Sequence, residues 1–230
     1  MVNKPRRRKQ QSHLRTYLAI GVILALVVSS VSYAYVAGIG PFGKHSSSTT
    51  STGTVPTLLY ARINTSLGSF DVELFNTLTP HTVTNFVNLV NSGFYNDLVW
   101  HRIQKGFVIQ TGDPRTKFGG GTRRTWGDNS SGVSVPFEYA PSLHNDEYYL
   151  AMASTGYTVG GTSQFYINLA NNTFLDGNYA VFGKVISEYP VVQKIGSVPT
   201  INETMLGGAI QSEPADPVPY INSITMISGP

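Results

Sequence analysis

The sequence predicts a mainly β domain, a closed antiparallel β-barrel capped by about two α-helices and preceded by one transmembrane helix. Three observations carry this. Short runs of alternating apolar and polar residues recur from Leu59 to Ile227, separated by turn residues in a chain with 23 glycines and 13 prolines. One stretch, Thr79 to Gly93, switches to helical spacing. Another, Tyr17 to Gly40, carries no charge.

From the N-terminus, residues 1–16 form a basic tail holding Lys4, Arg6, Arg7, Arg8, Lys9 and Arg15. The 24 uncharged residues 17–40 suffice to cross a hydrocarbon core of roughly 30 Å as a helix. With the basic cluster ahead of it, the positive-inside rule puts the tail in the cytoplasm and the remainder outside, single-pass in the cell membrane. The alternative is secretion after cleavage of a signal peptide, with Ser32-Tyr33-Ala34 as a small-x-small site. Residues 41–57, Ser/Thr-rich and poor in apolar side chains, read as a flexible linker.

The domain proper is expected over 58–230. Runs at Leu59–Asn64 and Ser69–Phe75 flank a hairpin turn at Thr65–Gly68. Thr79 is placed to cap a helix, and Pro80 fits its first position. Val83, Phe86, Val87 and Val90 form one apolar face, and Gly93 stops the helix. Strands are expected at Val99–Ile103, Phe107–Thr111, Tyr148–Ala153, Gln164–Leu169 and Ala180–Ile186. A second short helix fits "SEYPVVQKIGS", a closing strand fits "YINSITMI", and Thr200–Tyr220 reads as a Pro-rich surface loop.

Composition removes several function classes. There is no cysteine, hence no disulfide framework, thiol nucleophile or Cys-ligated metal. The five histidines show no HxH or HExxH spacing, so no metal or other cofactor is expected. The net charge of +3 belongs to the leader: from Leu58 onward 9 basic residues stand against 13 acidic ones, about −4. Nucleic acid is therefore not an expected partner. Serine-nucleophile and phosphate-loop patterns are absent.

What remains is a set of polar groups among aromatics: Arg102, Gln110 and Gln164, with Phe107, Tyr166, Phe174 and Tyr179 nearby. A guanidinium in a half-apolar strand is costly to bury without a task or a partner. His101, its neighbour, points to the opposite strand face and reads as structural; Asp113 and Asp176 read as braces for turns.

Four segments carry a resemblance. "WHRIQKGFVIQTGDP" is similar to the F-H-R-I-x-x-G-F-x-x-Q-G-G-D signature of the cyclophilins, the peptidyl-prolyl cis–trans isomerases. "LAMASTGYTVGGTSQFYINL" and "NNTFLDGNYAVFGKV" resemble two further segments of that family, and "TPHTVTNFVNLVNSGFYN" resembles its helix, all in the family's order. The likeness covers about Leu59 to Ile227. It implies an isomerase of X-Pro bonds with proline-containing polypeptides as partners; behind the uncharged leader segment such an enzyme is expected to assist the folding of exported proteins, and a monomer is expected. It implies that Arg102 and Gln110 are catalytic. It further implies that Phe107, Val108, Tyr166, Phe174, Leu175 and Tyr179 form the proline pocket. Gln164, with the backbone of Ala153 and Ser154, would receive the peptide. Five of these depart from the usual residues: Val108 for methionine, Ser154 for asparagine, Tyr166 for phenylalanine, Phe174 for tryptophan and Tyr179 for histidine. Val108, Ser154 and Tyr179 leave open an alternative, a module that binds Pro-containing segments with little turnover.

Overall fold

The computed structural model describes residues 58–206 and 209–230. The basic tail, the proposed anchor and the linker lie outside them. Among the described residues no helix is long and apolar enough to cross a membrane.

The chain opens with a hairpin, β1 (Leu59–Thr65) and β2 (Gly68–Leu74), in the register Thr65↔Gly68 to Leu59↔Leu74. The Thr65 hydroxyl organises its turn, donating to the Gly68 carbonyl at 2.6 Å and accepting from the Leu67 N–H at 3.1 Å. Helix α1 (Pro80–Asn91) follows, then β3 (Arg102–Gln104) and β4 (Val108–Thr111). A long connection over 112–148 leads to β5 (Tyr149–Met152), β6 (Phe165–Asn168) and β7 (Val181–Val185). Helix α2 (Tyr189–Gly196), the hairpin β8 (Thr200–Leu206) and β9 (Ala209–Pro214), and β10 (Ile221–Ile227) complete it.

Eight strands form one antiparallel sheet in the order β10-β1-β2-β7-β5-β6-β4-β3; β8 and β9 pair separately. The expected closed barrel is not what forms. The terminal strands β3 and β10 share no ladder, and their approaches meet at a single bridge, Val99↔Tyr220. Two reasons are visible. Strand β3 has only three residues, and Pro219, just before β10, has no N–H to donate and only accepts, from the Trp100 N–H at 2.9 Å. The result is a curled, incompletely closed sheet. The expected loop over 200–220 is likewise corrected: most of it is the β8–β9 hairpin.

Strand period 2 divides the side chains between two clusters. On β6, Phe165 and Ile167 enter the main core, whereas Tyr166 turns to a smaller cluster with Val108, Ala151 and Val181. The main core centres on Phe165, which meets Phe86, Tyr95, Trp100 and Phe182 edge-on at ring separations of 5.5–6.2 Å. Emptying such a position costs about 3–5 kcal/mol.

Helix α1 is bounded as expected, but its cap is not. The Thr79 side chain makes no capping bond and instead donates to the Phe75 carbonyl at 3.3 Å. The helix N-terminus is satisfied by Glu138, whose carboxylate accepts from the His81 N–H at 3.0 Å and the Thr82 N–H at 2.7 Å. It also accepts from the Thr82 hydroxyl at 2.6 Å. A carboxylate there meets both the orphan donors and the positive end of the helix dipole. This contact fastens the 112–148 connection to the body.

Candidate active site

Register builds the site. Arg102 stands opposite Gln110, Gln110 opposite Tyr166, Tyr166 opposite Ala151, and Ala151 opposite Val181. Paired residues of adjacent strands share a face. One row across five strands thus carries a cation, an amide, a phenol and two small apolar groups. Phe107 and Val108 at the start of β4, and Gln164 just ahead of β6, flank that row.

Over it lies a groove of about 480 Å³. Of the residues expected from sequence, Arg102, Phe107, Val108, Gln110, Ala153, Ser154, Gln164, Tyr166, Leu175 and Tyr179 line it. Phe174 does not; it stacks on Phe107 at 5.9 Å with the rings 12° apart, and is 70% exposed. The groove's other wall was not singled out from sequence. It comes from the 112–148 connection and from Gly160, Gly161 and Thr162. A Cβ on Gly160 would lie 1.5 Å from the Val135 carbonyl oxygen, so only glycine permits that approach. The adjacent glycines ahead of Thr162 were the available signal.

Side-chain amides form a relay. Arg102 Nη1 donates to Gln110 Oε1 at 3.3 Å, and Gln110 Nε2 donates to Gln164 Oε1 at 2.9 Å. Gln164 Nε2 in turn donates to the carbonyls of Gly127, at 2.8 Å, and Asn129. A second acceptor holds the guanidinium: Nη2 donates to Gln104 Oε1 at 2.6 Å. Gln104 was not among the expected site residues. The Arg102 guanidinium carbon also sits 5.6 Å from the Phe107 ring centroid, a cation–π contact. Burial lowers the Arg102 pKa from its ordinary value, opposed by the Tyr179 and Tyr166 phenols. Arginine remains a cation under such a shift.

The apolar side is held from behind. Tyr166 donates its hydroxyl to Asn145 Oδ1 at 2.8 Å, and burial pushes its pKa up. Asn145 is braced in turn by Asp176, which accepts from its backbone N–H at 2.7 Å and its amide at 3.0 Å. Asp113 is fully buried and accepts from the Arg115 N–H at 2.8 Å and the Gly127 N–H at 2.7 Å. Both aspartates brace turns, and neither lines the groove. His101 is buried, with its ring packed beside Gly127, and is not among the lining residues.

The site is a groove with a fixed cation, hydrogen-bonding amides and an apolar recess. Residues 60–224 match the family model described as "Cyclophilin type peptidyl-prolyl cis-trans isomerase/CLD". The chain belongs to the cyclophilin-type peptidyl-prolyl cis–trans isomerases. It is 42% identical over 141 residues to the peptidyl-prolyl cis-trans isomerase-like 1 of Aspergillus fumigatus, covering 61% of this chain and 83% of that one. It is 35% identical over 201 residues to the peptidyl-prolyl cis-trans isomerase A of Dickeya dadantii, covering 85% and 93%. Among solved structures, a cyclophilin-type isomerase of Cryptosporidium parvum superposes with a TM-score of 0.63 at 30% identity, covering 75% of this chain and 99% of that one. The same isomerase was also solved in the presence of the dipeptide Ala-Pro, with a TM-score of 0.61. By this homology the chain is a peptidyl-prolyl cis–trans isomerase, an enzyme of the cyclophilin type.

Proposed function

We propose that the chain isomerises X-Pro bonds of exported polypeptides outside the cytoplasmic membrane, with Arg102 as its catalytic residue. The observation that carries the assignment of Arg102 is its position: a guanidinium on the groove wall, held by amides, beside a recess of Phe107, Val108, Leu175 and Tyr166.

The chemistry needs no nucleophile. Amide resonance sets a rotational barrier of about 18–20 kcal/mol, and uncatalysed X-Pro exchange takes roughly 10–100 s. In the twisted transition state resonance is lost and the proline nitrogen becomes pyramidal and basic. A donor aimed at that nitrogen binds it only then, so the interaction lowers the barrier rather than merely the KM. The recess grips the proline ring while the acyl side turns. Gln110, itself braced by Gln164, holds the cation, and both amides border the peptide's path, with the backbone at Ala153 and Ser154 receiving it extended.

The setting outside the membrane rests on the uncharged run 17–40 behind a basic tail. Fractionation in which alkaline extraction releases the chain would refute the anchor. The site is tested by exchange NMR on an Ala-Pro peptide with the purified chain and its Arg102→Ala form. Acceleration falling by about 100-fold or more in the variant is expected. Unchanged turnover in the variant would refute the role of Arg102. Peptide binding without turnover in the parent chain would make it a binding module.

A further inference from the structure

We propose that Gln104 is a positioning residue for the isomerase reaction: it sets the orientation of the Arg102 guanidinium and does so more strongly than Gln110. The inference rests on the reading of Arg102 as the catalytic group. Its geometric basis is independent of that reading. Residues i and i+2 of a strand share a face, so Arg102 and Gln104 project to the same side of β3, while Ile103 between them is buried in the core. The contact that results is 2.6 Å, against 3.3 Å to Gln110. The 2.6 Å contact is just shorter than the usual N–H···O range of about 2.7–3.2 Å, whereas 3.3 Å lies just beyond it.

Location separates the two glutamines in role. Gln110 lines the groove and is bonded to Gln164; Gln104 does not line it. Gln104 therefore reaches the substrate only through Arg102. The two contacts also grip different nitrogens, Nη2 and Nη1, so together they oppose rotation of the guanidinium plane about its Nε–Cζ bond. Strand β3 is the terminal strand of the eight-stranded sheet, and β9 packs against it. Gln104 restrains the guanidinium from the same strand.

A group that fixes orientation acts on the transition state, because misalignment of a donor by about 1 Å forfeits catalysis without abolishing binding. Replacing Gln104 by Met, which keeps length and removes the acceptor, is expected to lower kcat about tenfold with KM changed less than twofold. Gln104→Glu keeps an acceptor oxygen and is expected to recover kcat to within about threefold of the parent. In an Arg102→Ala background, Gln104→Met is expected to have no further effect. The Arg102 side-chain NH signals supply a readout that a merely structural role would not move: separate Nη resonances in the parent chain should average in Gln104→Met. Folding of each variant is checked by its amide spectrum. The proposal is overturned if Gln104→Met leaves kcat within twofold, or lowers it equally in both backgrounds, or leaves the Nη signals unaveraged. If Arg102→Ala itself leaves turnover unchanged, the catalytic reading fails and this one with it; if only the Gln104 variants are silent, this one fails alone.

Discussion

Glu138→Ala tests how the wall of the groove is fastened to the fold. The carboxylate accepts two backbone N–H groups of α1 and the Thr82 hydroxyl, at 2.6–3.0 Å. Deleting a side-chain cap costs typically ~1 kcal/mol and up to ~2. Charge near a helix N-terminus contributes about 0.3–1 kcal/mol more. The Thr82 hydroxyl, on a fully buried residue, also loses its acceptor. A loss of about 2 kcal/mol follows, or roughly 4–8 °C in Tm for a domain of this size. Urea unfolding, followed by Trp100 fluorescence and far-UV circular dichroism, would measure it. Thr79→Val is the control. It keeps the volume of a buried residue and removes the hydroxyl bond to the Phe75 carbonyl, which retains two backbone donors, Leu78 N–H and Thr79 N–H. Its cost should stay below about 0.5 kcal/mol, since no polar group is left unpaired. If Thr79→Val costs more than Glu138→Ala, the cap is the local threonine and the assignment to Glu138 is wrong. A loss below 0.5 kcal/mol for Glu138→Ala would refute it equally.

Two further predictions follow from buried groups. Burial, with the neighbouring Arg102 charge, pushes His101 down to about 3, whereas an unfolded histidine titrates near 6.5. The unfolded chain therefore holds the extra proton between those values. Stability from this site is complete above pH 6.5 and is lost as pH falls, by up to about 1.4 kcal/mol per pH unit. Denaturant midpoints of the parent chain should decline between pH 6.5 and 5, where carboxylates stay ionised, and His101→Gln should remove that slope; a slope that persists in the variant rejects the assignment. Tyr166→Phe takes from Asn145 Oδ1 its 2.8 Å donor, leaving the Asn168 amide at 3.4 Å. It should lower stability by about 1–2 kcal/mol while keeping kcat/KM within threefold, because the ring still fills the recess. A tenfold drop in kcat/KM would mean that the hydroxyl acts on substrate.

Much of this architecture is legible in the sequence where the determinants are local. Alternation located β1, β2, β4, β5, β6, β7 and β10 to within about two residues, because each strand buries at least one face. The spacing of Val83, Phe86 and Val90 located α1 for the same reason. What escaped is non-local. Whether β3 and β10 pair depends on residues more than 100 positions apart, and strand count alone does not decide closure. Glu138 caps a helix 56 residues away, so a well-placed Thr79 outcompeted it as an expectation. The β8–β9 hairpin was hidden among Pro214, Pro217 and Pro219, which read as loop residues. At the groove, the residue types were visible and their register was not. Gln104 is the instructive case: spacing of two on a strand places it beside Arg102, yet only the contact itself marks it as a partner.

The glutamine relay leaves its members no choice of state. At one end stands a guanidinium, which can only donate; at the other stand the carbonyls of Gly127 and Asn129, which can only accept. Gln164 must therefore turn its NH2 toward the loop and its oxygen toward Gln110. Gln110 must then turn its own oxygen toward Arg102. Inverting either amide would set donor against donor at one junction and acceptor against acceptor at the next. Bounded by groups of fixed polarity, the relay has a single ground arrangement, so a peptide entering the groove meets amide dipoles that are already set and need not reorganise.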